Sequence, residues 1–130
     1  MTAKTGTAMY LKFGSTVLSG DYRSFSAEET GDVVDASAGA DTNRTYLTTL
    51  KDGTASATIV AQAGSTALWG AVAPLTGGTL EWDEEGTTAG RPKHTAWAIV
   101  TSRAMGAEYA DIVTFDVAWQ ISSAVSDSTY

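Results

Sequence analysis

Residues 112–121 read Ile-Val-Thr-Phe-Asp-Val-Ala-Trp-Gln-Ile, the most regular alternation of apolar and polar side chains in the chain. A period of two predicts a β-strand that buries one face and exposes the other. The face predicted to point inward consists of Val113, Phe115, Val117, Trp119 and Ile121. The face predicted to point outward consists of Ile112, Thr114, Asp116, Ala118 and Gln120. Half-buried strands of this kind indicate a β protein.

Other segments repeat this pattern before and after turn signals. Residues 54–61 alternate strictly, and residues 9–13 and 16–18 flank Gly14-Ser15, which predicts an opening hairpin. Further strands are predicted at 23–29, continuing over 33–35 past a bulge at Gly31, and at 44–50, 79–84 and 93–101. Asp52-Gly53 predicts a tight turn between 44–50 and 54–61, and Gly77-Gly78 predicts a break.

Only residues 64–74 have the pattern of a helix, of about two turns. Ser65 is a candidate N-cap, Leu68 and Val72 lie four residues apart, and Pro74 ends the segment. The predicted fold class is therefore mainly β: an antiparallel β-sandwich or partly closed barrel with one short flanking α-helix.

The length of 130 residues predicts a single domain, 1–130. Within it we distinguish an N-terminal arm at 1–7, a long inter-strand loop at 36–43 and a polar C-terminal tail at 122–130. No stretch approaches the ~18 apolar residues of a membrane helix, so no membrane anchor is expected. No signal peptide is recognised at the N-terminus.

The composition excludes several kinds of site. The chain has no cysteine and one histidine, which removes disulfide scaffolds, thiolate nucleophiles and cysteine-built zinc sites. Its formal net charge is −7, from 8 basic and 15 acidic residues. An acidic chain repels nucleic acid and anionic membranes rather than binding them.

The remaining candidates for chemistry are weak. Glu81, Asp83, Glu84 and Glu85 could bind calcium or act as paired carboxylates, but they are better explained as a solvated strand end. His94 is best explained as an ordinary histidine on a strand, since no nucleophile motif accompanies it. We therefore predict no enzyme activity, no catalytic residue, no metal and no cofactor.

The aromatic residues allow two interpretations. Trp82, Trp97 and Trp119 share strand faces with aliphatic residues, and Trp69 lies on the helix beside Leu68, so core packing is favoured for all four. Tyr22, Tyr46 and Tyr109 remain candidates for surface aromatics, as a sugar-binding platform would need.

The order of the segments resembles a known family. The residues that carry this resemblance are 22–29 (Tyr-Arg-Ser-Phe-Ser-Ala-Glu-Glu), 32–35 (Asp-Val-Val-Asp), 44–46 with 50–56, a helix before an acidic strand, and 107–117. This succession is similar to the tail tube proteins, or major tail proteins, of long-tailed bacteriophages of the lambda type.

The resemblance implies a structural virion protein, made in the host cytoplasm, that assembles into hexameric rings stacked as the phage tail tube. Its partners would be itself and the other tail proteins at the tube ends. DNA would pass through an acidic lumen without specific binding. We expect the lumen to be lined by Thr114, Asp116, Ala118 and Gln120. The resemblance assigns the inter-ring contact to the long loop, Ala36, Ser37, Ala38, Gly39, Ala40, Asp41, Thr42 and Asn43, which would become ordered on stacking.

Two alternatives stay open. Tail-completion or adaptor proteins of the same virions share this fold and form single rings. A monomeric carbohydrate-binding or decoration β-sandwich would show an exposed aromatic strip and no large assembly.

Overall fold

Eight strands and one helix follow one another in the computed structural model, which describes residues 9–61, 64 and 66–130. The strands are β1 Tyr10–Phe13, β2 Thr16–Val17, β3 Tyr22–Asp35, β4 Tyr46–Val60, β5 Gly77–Asp83, β6 Pro92–Gly106, β7 Thr114–Ile121 and β8 Ser126–Thr129; the helix α1 is Ala67–Ala71. The predicted arm at 1–7 and the predicted cap Ser65 lie outside the described residues.

All paired strands run antiparallel in one curled sheet. The strand order in the sheet is β2-β1-β5-β6-β7-β4-β3. β8 pairs with β6 but has no place in this order. The sheet is not closed into a barrel, because its ends, β2 and β3, do not pair with each other. The predicted fold class, mainly antiparallel β with one short flanking helix, is confirmed.

The core lies on the concave side of the sheet. On β7, Phe115, Val117 and Trp119 are buried as the alternation predicted, and on β4 Ala55, Ala57 and Ile59 are buried. Leu68 and Trp69 of α1 pack against this cluster, and Val72 just after the helix is buried in it. The helix has five residues rather than about two turns.

The prediction of a tight turn at Lys51-Asp52-Gly53 is wrong. Both predicted segments belong to the single strand β4, which pairs with β3 along its whole length. Gly53 is buried opposite Ile121, and a Cβ built there would lie 3.2 Å from Ile121 Cδ1. The glycine therefore allows a close approach of two strands, which the local Asp-Gly signal does not reveal. The bulge predicted in β3 does occur, as a register shift between Gly31 and Val33.

The prediction that Trp97 of β6 packs in the core is wrong. Ala96, Ala98 and Val100 point into the core, whereas Trp97 is 48% exposed on the opposite face. The strand also continues to Gly106, beyond the predicted end at residue 101. Both faces of β6 carry apolar residues, so the period alone could not select the buried one.

Two further segments differ from their predictions. Gly77 and Gly78 begin β5 instead of breaking the chain, and a Cβ at Gly77 would lie 3.0 Å from Trp97 Cζ2. Absence of a side chain at this position lets the indole lie close to the strand. Residues 122–130, treated as a polar tail, contain β8, which pairs with Pro92–Thr95 of β6.

Candidate assembly surface

The convex face of the sheet carries small polar side chains across four adjacent strands. The strand registers align three rows on β3, β4, β7 and β6. The rows are Ser24, Thr58, Asp116 and Ala104; Ser26, Ser56, Ala118 and Ser102; and Glu28, Thr54, Gln120 and Ile99. We call these twelve residues the polar face. All predicted lumen residues but Thr114 belong to it, and Thr114 continues it, opposite Val60 and Gly106.

Hydrogen bonds across the strands hold this face in place. The Ser26 and Ser56 hydroxyl oxygens lie 2.9 Å apart, and the Thr58 hydroxyl donates to Asp116 Oδ1 at 2.7 Å. At the edge of the face, the Gln120 amide donates to Asp52 Oδ1 at 2.5 Å. The side chains therefore bond to one another along the surface.

The polar face is acidic. It contains the carboxylates of Glu28 and Asp116 and no lysine or arginine among its twelve members. Arg103 on β6 points to the other side of the sheet, where its Nη1 donates to the carbonyl oxygen of Trp69 at 2.7 Å. The negative potential of the face is therefore not neutralised by its own side chains.

The hairpin of β3 and β4 extends well beyond the rest of the sheet. β7 ends at Ile121 opposite Gly53, so the strand residues within 30–52 pair only with each other among the described residues. Apolar side chains on this projecting part are exposed by half or more: Val33, Val34, Tyr46, Leu47 and Leu50. An isolated two-stranded ribbon is only marginally stable in water, and exposed apolar patches mark contact sites.

The loop at 36–43 forms the tip of this hairpin and does not lie near Thr114, Asp116, Ala118 or Gln120. It is ordered by local hydrogen bonds: Ala38 N donates to Asp41 Oδ2 at 2.6 Å, and Thr45 N donates to the Ser37 hydroxyl at 2.7 Å. The backbone N–H of Ser37 donates to Asp35 and lowers the pKa of that carboxyl. These hydrogen bonds lie within the loop and at its junction with β4.

Two strand edges are open on either side of the polar face. β3 has a sheet neighbour, β4, on one side only, and β6 beyond Thr101 pairs with β7 only, within the part of the chain that the structure describes. The pairing of β5 with β6 stops at Gly77 and Ile99. Open edges offer unpaired backbone groups to another strand. Sequence patterns did not reveal these edges, because they depend on which strands are neighbours.

The acidic segment at β5 is not the solvated strand end that was predicted. Asp83 is fully buried, and it accepts hydrogen bonds from the Tyr130 hydroxyl and from His94 N at 3.2 Å. His94 also differs from an ordinary strand histidine, since its ring bonds to Glu84 and Asp127. Tyr130 was missed because nothing in the surrounding residues marks it as an anchor.

The other expectations concern exposure and binding. Tyr46 and Tyr109 are exposed, whereas Tyr22 packs partly against the core. The described residues include no group of three or more histidine and carboxylate side chains placed to hold a metal ion. No helix in the described part of the chain is long and apolar enough to cross a membrane.

Comparison with known proteins identifies the fold. No protein-family model and no curated protein matches the chain. Among solved structures, the chain is similar to the SPP1 tail tube, with a TM-score of 0.79, 8% identity, and coverage of 98% of this chain and 80% of that chain. It is similar to the tail of an empty gene transfer agent particle of C6 symmetry, with a TM-score of 0.73, 12% identity, and coverage of 98% and 100%.

A third similar structure comes from a contractile system. It is a chain of the PVC sheath–tube complex of an extracellular contractile injection system, with a TM-score of 0.78, 14% identity, and coverage of 98% of this chain and 93% of that chain. The chain therefore has the fold of tube proteins from tails and injection systems. Within that class, the resemblance to phage tail tube proteins that the sequence indicated is confirmed at the level of the fold.

Proposed function

We propose that this protein is a non-enzymatic structural virion protein that assembles into hexameric rings, which stack to form a phage tail tube. The observation that carries the proposal is the pair of open strand edges flanking a small, polar, acidic sheet face. The solved structures to which this chain is similar, components of phage and gene transfer agent tails, support the same role and a location in the virion tail.

The direction of the strands supports ring formation. β6, β7, β4 and β3 alternate in direction, so the open edge of β3 and the open edge of β6 run opposite ways. When copies are related by rotation, β3 of one copy therefore meets β6 of the next in the antiparallel sense. Each contact uses two different surfaces, which is the arrangement that closes into a ring. The C6 symmetry of the gene transfer agent tail favours six copies.

The polar face would then line the lumen. Thr114, Asp116, Ala118 and Gln120 lie on it, and its carboxylates would repel the DNA phosphates that pass through. A face without basic side chains avoids the phosphate contacts that dominate nucleic-acid affinity. DNA would therefore move along the tube without being retained.

The projecting hairpin would make the contact between rings. Its tip, residues 36–43, reaches about seven residues past the end of β7, which corresponds to roughly 24 Å of strand. The exposed apolar residues near the tip, such as Leu47 at 60% exposure, would be covered by the next ring. Other tail proteins would occupy these surfaces at the two tube ends.

The proposal is tested by electron microscopy and light scattering of the purified protein. We expect stacked rings with an open centre. The double variant Ala38→Lys with Ala40→Lys, at the hairpin tip, should leave rings but abolish stacks. The matched control places the same charges in the exposed turn between β5 and β6, as Thr88→Lys with Ala89→Lys, and should still stack.

Each outcome separates the candidate roles. Single rings from the unmodified chain, with no stacks at any concentration, would favour the tail-completion or adaptor role. A monomer at high concentration would overturn self-assembly and leave the decoration or carbohydrate-binding module. Loss of stacking in the control variant as well would remove the specific role of the hairpin tip.

A further inference from the structure

Residues 126–130, which we call the strap, are fixed to the start of β6. β8 pairs with Pro92–Thr95, and the backbone of Tyr130 adds two bonds: its N donates to the carbonyl oxygen of Arg91 at 3.0 Å, and its carbonyl oxygen accepts from Gly90 N at 2.8 Å. The strap carries only small polar side chains and one tyrosine, so apolar burial contributes little to its attachment. Its attachment therefore depends on polar contacts, of which two involve titratable groups.

The first titratable contact is made by the Tyr130 side chain. Its hydroxyl lies 2.7 Å from Glu81 Oε2 and also contacts Asp83, which is fully buried. One hydroxyl proton is shared between two carboxylates, since a phenol donates only once. Lys93 adds a cation above the Tyr130 ring, 4.9 Å from its centroid, and lies 3.6 Å from Glu81.

The second titratable contact is made by His94. Its Nδ1 lies 2.6 Å from Asp127 on the strap, and its Nε2 lies 2.7 Å from Glu84. The ring is stacked against Trp82 with centroids 5.9 Å apart, which fixes its orientation. A neutral imidazole can donate only one of these two bonds, whereas the cation donates both. His94 therefore donates to both carboxylates only when it carries its second proton.

Electrostatics favours a second proton on His94. Burial lowers the pKa of His94, but its hydrogen bonds to Asp127 and Glu84 outweigh burial and raise the pKa above its ordinary value. Burial raises the pKa of Asp83 to about 6; the Tyr130 hydroxyl opposes this increase, and the neighbouring Glu81 adds to it. Asp127 of the strap contributes to the raised pKa of His94, so the attached strap favours the protonated ring more than a detached strap would.

We propose that the strap is a pH-sensitive latch, which holds the Pro92–Thr95 edge of β6 while His94 is a cation and detaches from it, with the rest of the sheet still folded, when His94 loses its proton. This inference concerns contacts within one chain and does not depend on the proposed tube. Detachment uncovers the backbone edge of β6 that β8 occupies, and so creates a further open strand edge in the sheet.

The direction of the pH dependence follows from the sign of the shifts. His94 in the attached state has a raised pKa. Its contribution to the free energy of strap attachment is therefore complete below the ordinary histidine pKa of about 6.5, and is lost as the pH rises through the raised pKa. Asp83 does not add to this effect, because the Tyr130 hydroxyl of the strap lowers the pKa of that carboxyl. The titratable and charged groups around the two contacts are Tyr10 and Lys12 on β1, Glu81, Asp83, Glu84 and Glu85 on and after β5, Arg91, Lys93 and His94 beside and on β6, and Asp127 and Tyr130 on the strap.

The test is hydrogen–deuterium exchange, read by mass spectrometry from pH 5.5 to 8.5 and corrected for the intrinsic exchange rate. We expect the protection of residues 126–130 to fall by up to about tenfold per pH unit around the His94 titration, as linkage to one proton predicts. The protection of β7 should stay constant over the same range. His94→Gln should abolish the pH dependence, and the milder Asp127→Asn should reduce it.

The control is Ser128→Ala, on the same strand but on its other side, which should keep the pH dependence of the original chain. Constant protection of the strap across the range would overturn the proposal. Parallel loss of protection in β7 would do the same, because it would mean global unfolding. An unchanged pH dependence in both His94→Gln and Asp127→Asn would exclude His94 as the titrating group.

Discussion

The guanidinium group of Arg103 lies 4.1 Å from the centre of the Trp69 ring and also donates a hydrogen bond to the Trp69 carbonyl oxygen. These two contacts join β6 to the only helix in the described part of the chain, α1. Trp69 in turn meets Phe115 of the core edge-on, at 5.4 Å between ring centres. The same contacts keep a basic side chain away from the polar face, where it would offset the carboxylates.

Removal of the Arg103 side chain should therefore loosen the helix. We expect Arg103→Ala to lower the free energy of unfolding by about 1–3 kcal/mol, from the lost cation–π contact and the lost charged hydrogen bond. Chemical denaturation monitored by circular dichroism measures this change. Arg44→Ala, at an exposed position before β4, is the control and should change the stability by less than about 0.5 kcal/mol. Equal stability of the two variants would contradict this role of Arg103.

Trp119 is buried, and its indole N–H finds no acceptor among the described residues. Trp119→Phe removes this unsatisfied donor and leaves a small cavity, two effects of about 1 kcal/mol each and of opposite sign. We expect its unfolding free energy to stay within about 1 kcal/mol of the original. Trp119→Ala should cost about 3–5 kcal/mol. A phenylalanine variant as unstable as the alanine variant would show that the indole N–H has a partner.

Leu75 adopts a left-handed backbone conformation, with φ of 69°, and its side chain is 84% exposed. A branched side chain is strained in this region, whereas asparagine tolerates it. Leu75→Asn should raise the free energy of unfolding by roughly 0.5–1 kcal/mol, and its backbone bond to Val100 is retained. The same change at Leu50, 81% exposed in the extended strand β4, should not stabilise, since asparagine is unfavourable in strands. Thermal denaturation distinguishes the two sites.

Asp116 is exposed on the polar face, so its charge can be reversed without disturbing the core. In assembled tubes, Asp116→Lys should introduce salt-dependent DNA binding that the original protein lacks. A filter-binding or co-sedimentation assay measures it. Glu108→Lys makes the same change in charge outside the polar face, between β6 and β7, and should bind less DNA. Equal binding by both variants would mean that Asp116 does not face the lumen.

The sequence predicted the buried face correctly for strands whose two faces differ in polarity. The buried side of β7 carries large apolar residues, Phe115, Val117, Trp119 and Ile121, and the other side carries small or polar ones, so its buried face followed from the pattern alone. The same contrast placed Thr114, Asp116, Ala118 and Gln120 together. β6 lacked this contrast, because Ala96 and Ala98 face the core while the larger Trp97 and Ile99 lie on the other side.

The elements that the sequence did not predict depend on contacts between distant residues. Gly53 looks like a turn residue until Ile121 is placed beside it. β8 has no apolar residue, and its position follows from its pairing with β6 and from the Tyr130 contacts. The polar face needed the strand registers, since its rows combine residues from four separate segments. Local patterns carry no information about any of these neighbours.

Two strands, an even number, lie between the open edges of β3 and β6, and this number bears on the width of the proposed pore. Because β3 and β6 run in opposite directions, any whole number of copies can join edge to edge without a mismatched pair. Strand direction therefore does not restrict the copy number, and the angle between the two edges of each copy must set it. Substitutions that alter the bend of the sheet, such as those at the β3 bulge between Gly31 and Val33, are then the changes that could widen or narrow the channel.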